Sequence, residues 1–179
     1  EDEEEFEQKE IERLFKESKH VSEGYYGVDV VTHCCLETHG TTLQWKDGKL
    51  DAYLSTQSVS GTDDGFADAA GVTADEVDVT CEYVGGGFGS KFAPDYWSFA
   101  AAEIARATGR PVKFMLTRAQ DQQIAGNRPS GFIKVRVGAD ENGVVQIWDS
   151  EHWGTAGYGG GVVSVSVIPY VYRPQNYRR

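Results

Sequence analysis

Apolar positions recur along this chain on two different periods, and the switches between them mark its elements. Residues 1–18 read as a helix: Phe6, Ile11, Leu14 and Phe15 fall on one thin stripe, and nearly everything else there is charged. So narrow a stripe predicts a helix that docks on a larger body. Over 19–36 the pattern changes to alternation around Tyr26, Val28, Val30 and Thr32, which predicts extended chain. Residues 41–45 and 49–54 flank Lys46-Asp47-Gly48 as the arms of a hairpin. Residues 60–70 read as a helix with a Ser, Thr or Asp cap, ended by Gly71. A turn with a capping box follows over 73–77, leading into a strand over 77–84.

Residues 96–108 read as a helix closed by Gly109, with Ala100, Ala101, Ile104 and Ala105 as its small apolar face. A strand over 111–116 and a short helix over 117–124 come next, then a second hairpin of 131–137 and 144–153 around Asp140-Glu141-Asn142-Gly143. The glycine-rich run 154–161 reads as irregular, and the tail 169–179 as a Tyr-, Pro- and Arg-rich segment without a core. Helices and strands mix without strict β-α-β alternation. The predicted class is therefore α+β, a mixed sheet with flanking helices. The predicted organisation is an acidic helix or arm over 1–18 and one domain over 19–179.

Charge narrows the partners. The 179 residues carry a formal net charge of −11, with the acid concentrated in 1–17. A chain this acidic is repelled by phosphate backbones, so nucleic acid is not an expected partner. The acidic run itself reads most plainly as a solvated helix face or a loose arm. No apolar run is long enough to span a bilayer, and an acidic N-terminus does not make a secretory signal. Of the three cysteines, Cys34 and Cys35 are adjacent, too close for ordinary disulfide geometry, and there is no C-x-x-C. That favours a reducing compartment, the cytoplasm ahead of the periplasm.

Three clusters carry candidate chemistry. Gly85-Gly86-Gly87-Phe88-Gly89-Ser90-Lys91 lies between a predicted strand and a helix. Glycines there permit positive φ and close backbone approach, with amides free to donate. It is not a P-loop, because Ser90 precedes Lys91 and Phe92 follows; it is not a dinucleotide fingerprint, because Ser90 stands where a third glycine belongs. A purely structural turn is the alternative. The second cluster, His33-Cys34-Cys35-Leu36-Glu37-Thr38-His39, has metal-ligand chemistry. Against a metal, the two histidines are six apart in a segment read as extended, and Cys34 and Cys35 would point to opposite sides of a strand. The plainer reading is small buried residues with Glu37 in a structural hydrogen bond. The third is Ser55-Thr56-Gln57-Ser58 at a strand end, where a Gln amide can donate to an oxo group or accept from a ligand N–H.

Taken together these stretches, with Gly109-Arg-Pro-Val-Lys113, Thr117-Arg-Ala-Gln-Asp121, Asn127-Arg128 and 137–143, resemble the first molybdopterin-binding domain of the xanthine dehydrogenase and aldehyde oxidase family in order and spacing. The resemblance covers residues 19–179. It implies a molybdenum-molybdopterin cofactor, with Gln57 beside the metal's oxygen ligand. Gly87, Phe88 and Gly89 would face the cofactor through backbone N–H groups and a ring edge. Purine-oxidising members have an acidic residue where Phe92 stands, so Phe92 implies an aldehyde or an apolar aromatic heterocycle as substrate; core packing is the alternative for that ring. The resemblance also implies that the chain is part of a larger subunit. The family's general-base Glu in a Gly-Glu motif is missing, so no catalytic residue is assigned in this chain. The isolated chain is expected to lack molybdenum and dehydrogenase activity. Implied partners are the remainder of the molybdenum subunit and iron–sulfur and flavin or cytochrome subunits; no cysteine here has cluster-ligand spacing. The competing reading is a non-catalytic binding module that retains the fold.

Overall fold

The computed structural model describes residues 3–158, 161–164 and 169–179, with side chains from residue 7 onward in the first helix. Residues 159–160 of the predicted irregular run, and the side chain of Phe6 in the predicted stripe, lie outside what is described. The chain forms two compact units: a terminal unit of Glu1–Val31 with Pro129–Arg179, and a central unit of Thr32–Arg128.

In the terminal unit, α1 (Glu3–Glu17) lies on a four-stranded sheet ordered β1 (His20–Val28), β8 (Gly131–Ala139), β9 (Val145–Trp153), β10 (Asn176–Arg178). The first three strands are antiparallel, with Tyr25 opposite Lys134 and Val135 opposite Ser150. The thin stripe does what its width predicts: Ile11 and Phe15 are buried against Ile147, with Leu14 at the margin. β10 lies in the Tyr-, Pro- and Arg-rich tail. Residues 176–178 add to β9 in parallel, Tyr177 opposite Trp148. β1 carries predominantly exposed side chains; Tyr25 stacks on Trp153 at 5.5 Å and on Phe132 at 6.2 Å between ring centroids.

The central unit is built on a second four-stranded sheet, ordered β5 (Val77–Thr80), β4 (Lys49–Leu54), β3 (Gly40–Lys46), β6 (Val112–Met115). β3 and β4 form the predicted hairpin, and Asp47 and Gly48 both take positive φ, 51° and 83°. That is the turn an Asp-Gly pair favours. Leu43, Leu50, Ala52 and Leu54 point to one face and pack with Phe66 and Ala67 of α2 (Thr62–Ala70) and Ala101, Ala102 and Ala105 of α3 (Tyr96–Thr108). Trp45 Nε1 donates to the Ala102 carbonyl at 3.0 Å and locks α3 to the sheet. α4 (Arg118–Ile124) follows β6, and the two-residue strands β2 (Val31–Thr32) and β7 (Asn127–Arg128) make a ladder of their own.

Four local expectations need correction. The strand over 77–84 ends at Thr80. Its partner β4 stops at Leu54, one residue beyond the Tyr53–Thr80 pair, so residues 81–84 have no ladder to join. α2 is capped by Gly61 at φ 87° and not by a Ser, Thr or Asp side chain; the Thr62 hydroxyl bonds back to the Ser58 carbonyl instead. The buried face of α3 is Trp97, Ser98, Ala101, Ala102 and Ala105, with Ala100 and Ile104 exposed. Cys34 and Cys35 are not in a strand: Cys34 is exposed at φ 46°, and Cys35 is buried.

Candidate cofactor-facing loop

Topology gathers the site residues at one end of the central sheet. β4 and β5 are parallel, so Gln57, just past β4, and residues 81–91, past β5, leave the sheet at the same edge. β3 is antiparallel to both β4 and β6, so the segment before β3 (Glu37, His39) and the segment after β6 (Arg118, Asp121) reach that edge too. Residues far apart in sequence therefore meet without any long excursion of the chain.

The glycine loop is held at both ends by side-chain oxygens. At its start, Glu37 Oε2 accepts from the Gly85 N–H at 2.8 Å and from the Ser55 hydroxyl. Lys91, only 1% exposed, reaches under the loop and donates to the Glu37 carbonyl at 2.9 Å, to Ser55 Oγ at 2.8 Å and to Glu37 Oε2 at 3.4 Å. Burial alone pushes the Glu37 carboxyl up, but the bonds from Ser55 and Gly85 and the Lys91 charge outweigh it and hold it below the usual carboxylate value. Gln57 holds the other end. Its Oε1 accepts from the Gly89 N–H at 2.9 Å and the Lys91 N–H at 3.3 Å, while the Gln57 backbone N–H donates to the Lys91 carbonyl at 2.9 Å. The amide is thus fixed in orientation, and Nε2 is the end of Gln57 left to face a ligand.

The glycines serve different ends. A Cβ on Gly87 would run into the Gln57 side chain, so this residue is small to admit its own neighbour. Gly89 sits at φ 100°, and where its Cβ would stand the nearest atoms are His33 Nε2 at 3.8 Å and Arg128 Nη1 at 4.0 Å. Only there does the absent side chain open space outward. Phe88, a non-glycine residue at φ 51°, accepts such strain at a cost of roughly 1–2 kcal/mol, and its carbonyl is tied by Arg128 Nη1 at 3.1 Å.

The arrangement corrects one expected role: the Gly89 N–H is taken by Gln57 and is not free. Within 85–91, the amides with no acceptor among the described residues are those of Gly86, Gly87 and Phe88. The Phe88 ring is 61% exposed and Phe92 58% exposed, so Phe92 is not packed in the core of this chain. His33, beside Gly89, is pushed toward its neutral form by burial and then by the Arg128 charge. Of the 33–39 cluster, Glu37 and His39 turn inward as structural hydrogen-bonding groups, and no group of three or more potential metal ligands occurs among the described residues. Lys91, Arg118, Asp121 and Arg128 had no sign in local spacing. Each acts through a partner at least 40 residues away: Arg128 on Phe88 is separated by 40, Lys91 on Glu37 by 54, and Arg118 and Asp121 on Leu36 and His39 by 82.

Unpaired amides, one oriented Gln N–H2, an exposed ring and open space over Gly89 form a donor set that fits an oxygen-rich, planar group such as a metal-bound pterin. A family model described as the molybdopterin cofactor-binding domain matches residues 2–175. The chain belongs to that family. It is 32% identical over 150 residues to the xanthine dehydrogenase/oxidase of Gallus gallus, covering 82% of this chain and 11% of that protein. It is 32% identical over 122 residues to the aldehyde oxidoreductase molybdenum-binding subunit PaoC of Escherichia coli K12, covering 68% of this chain and 17% of that one. Quinoline 2-oxidoreductase from Pseudomonas putida 86 has the same fold, with a TM-score of 0.71 at 23% identity over 79% of this chain and 18% of that chain. The chain therefore spans less than a fifth of the length of these relatives, and the α+β class expected from element order holds. No helix among the described residues is long and apolar enough to cross a membrane.

Proposed function

We propose that this chain supplies one wall of the molybdopterin site in a molybdenum hydroxylase that oxidises an aldehyde or an aromatic heterocycle. The observation that carries the reading is the pairing of Gln57 with residues 86–89. The loop occupies the Gln57 oxygen and leaves its N–H2 and the backbone amides of Gly86, Gly87 and Phe88 without an acceptor among the described residues. Donors fixed in place before the ligand arrives cost no reorganisation on binding. When bound, the cofactor supplies a two-electron oxidation with water as the source of oxygen. Gln57 Nε2 and the Gly86–Phe88 amides would hold the cofactor, with the Phe88 ring as an apolar contact. Phe92 gives the substrate an apolar wall with no hydrogen-bonding handle, which weakens binding of a polar purine relative to an aldehyde or apolar ring.

The relatives are named as oxidoreductases, which supports a catalytic role over a non-catalytic module. Electron transfer would pass to iron–sulfur and flavin or cytochrome subunits, and three free thiols support the cytoplasm as the compartment. The test is the molybdenum and pterin content of the complete subunit carrying this chain. We expect stoichiometric loading, and at least a tenfold loss in Gly89→Val, where a side chain closes the open space. A complete subunit that purifies folded and free of molybdenum and pterin overturns the reading.

A further inference from the structure

We infer that His39 is a doubly protonated positioning residue that holds the closing turn of the glycine loop; its functional meaning rests on the loop reading above. His39 is buried, and both of its ring nitrogens face groups that only accept. Nδ1 lies 2.7 Å from Asp121 Oδ1, and Nε2 lies 3.3 Å from the Ser90 carbonyl. A neutral imidazole has one N–H and one lone pair. In either neutral form, one of these two contacts would set a lone pair against an oxygen. The imidazolium, with a proton on each nitrogen, satisfies both.

Asp121 is in no position to supply the missing proton. Its Oδ1 also accepts from the His39 backbone N–H at 2.9 Å, and its Oδ2 accepts from Arg118 Nη1 at 3.0 Å, so both oxygens are engaged as a carboxylate. Arg118 in turn donates to the Leu36 carbonyl at 2.9 Å, which ties the pair to the segment carrying Glu37. The edge of Trp97 closes the remaining side, ring centroids 5.7 Å apart and nearly perpendicular. On the loop side, Ser90 donates to the Gly87 carbonyl twice, through N–H at 2.9 Å and Oγ at 2.8 Å. Those bonds close the turn in which Phe88 and Gly89 take their left-handed conformations. The ring of His39 therefore acts on Phe88 through Ser90, from beneath the loop and without touching a ligand.

The test is read on the chain without cofactor, so it stands or falls separately from cofactor loading. In uniformly 15N-labelled chain at neutral pH, both ring nitrogens of His39 should show the shifts of protonated nitrogen, each coupled to its own hydrogen. One protonated and one bare nitrogen overturns the inference. His39→Gln places a single donor group where two are needed. Its exchange of the Gly89, Ser90 and Lys91 amides should rise at least tenfold, while Leu43, Ala52 and Ala105 exchange as before. Unchanged loop exchange overturns the positioning role. If the variant does not fold, the nitrogen shifts of the unaltered chain decide the question alone.

Discussion

The two sheets have four strands each, yet they place their polar side chains in opposite ways. In the terminal unit, ionic contacts lie near the surface and join regular elements: Arg136 of β8 reaches Glu12 of α1 at 2.8 Å while stacking over Phe15, and Arg178 of β10 reaches Asp149 of β9 at 2.7 Å. In the central unit, Lys91, His39 and Asp121 are buried, and all three hold loop backbone and not regular structure. Burying charge costs free energy that an apolar core would not lose. A fold that needed only stability would fill those positions with leucine. The difference marks the loop end of the central sheet as the place where geometry matters more than stability.

Lys91→Met is the change that tests this contrast most severely. It keeps the volume and removes three donated bonds, leaving a partly buried carboxylate, a carbonyl and a hydroxyl without their partner. Breaking a buried pair on one side costs about 3–5 kcal/mol, and here the low end applies because the Glu37 side chain is 34% exposed. Urea unfolding should show that loss. A variant as stable as the parent would mean that the buried lysine holds nothing.

The hairpin and α3 were legible because their signals are local. Asp47-Gly48 demands two positive φ angles in adjacent residues, and Gly109 at φ 62° closes a helix whatever surrounds it. The buried face of α3 was misjudged because its placement depends on Trp45 and the sheet, which composition does not reveal. At the site, Gln57 and the loop were named through a resemblance to other sequences. Glu37 was legible as a structural hydrogen-bonding group; the clamping roles of Lys91, Arg118 and Asp121 were not, although all three stand in the stretches that carry the resemblance, since a buried lysine and a solvated one look alike in a one-dimensional pattern. His39 and Asp121 are 82 residues apart, and only the antiparallel pairing of β3 with β6 brings them together.

Acid sharpens the contrast at the other end of the same clamp. The folded Glu37 carboxyl titrates below its ordinary value of 4.5, so between the two values the unfolded chain binds more protons than the folded one. Its contribution to stability is complete above the ordinary value and is lost as pH falls through the folded value. Solvent at the exposed third of the side chain makes this smaller than the loss in Lys91→Met. Glu37→Gln should flatten the dependence of stability on pH below 4.5, measured as urea midpoints against pH. An unaltered slope would place the acid sensitivity elsewhere.

The smallest effect belongs to the terminal unit. Glu12→Gln removes the charge opposite Arg136 but leaves an amide oxygen to accept the bond and Phe15 beneath the guanidinium. Both side chains meet solvent, at 31% and 42% exposure, so the ion pair is screened and stabilises the fold by about 0.2–1 kcal/mol. The loss should shrink further in high salt, whereas the loss in Lys91→Met should not, because salt does not reach a side chain under the loop. Urea midpoints at low and high ionic strength for the two variants measure that difference directly. If both losses fell equally with salt, Lys91 would be a surface charge in solution, and the opposition between the two sheets would fail.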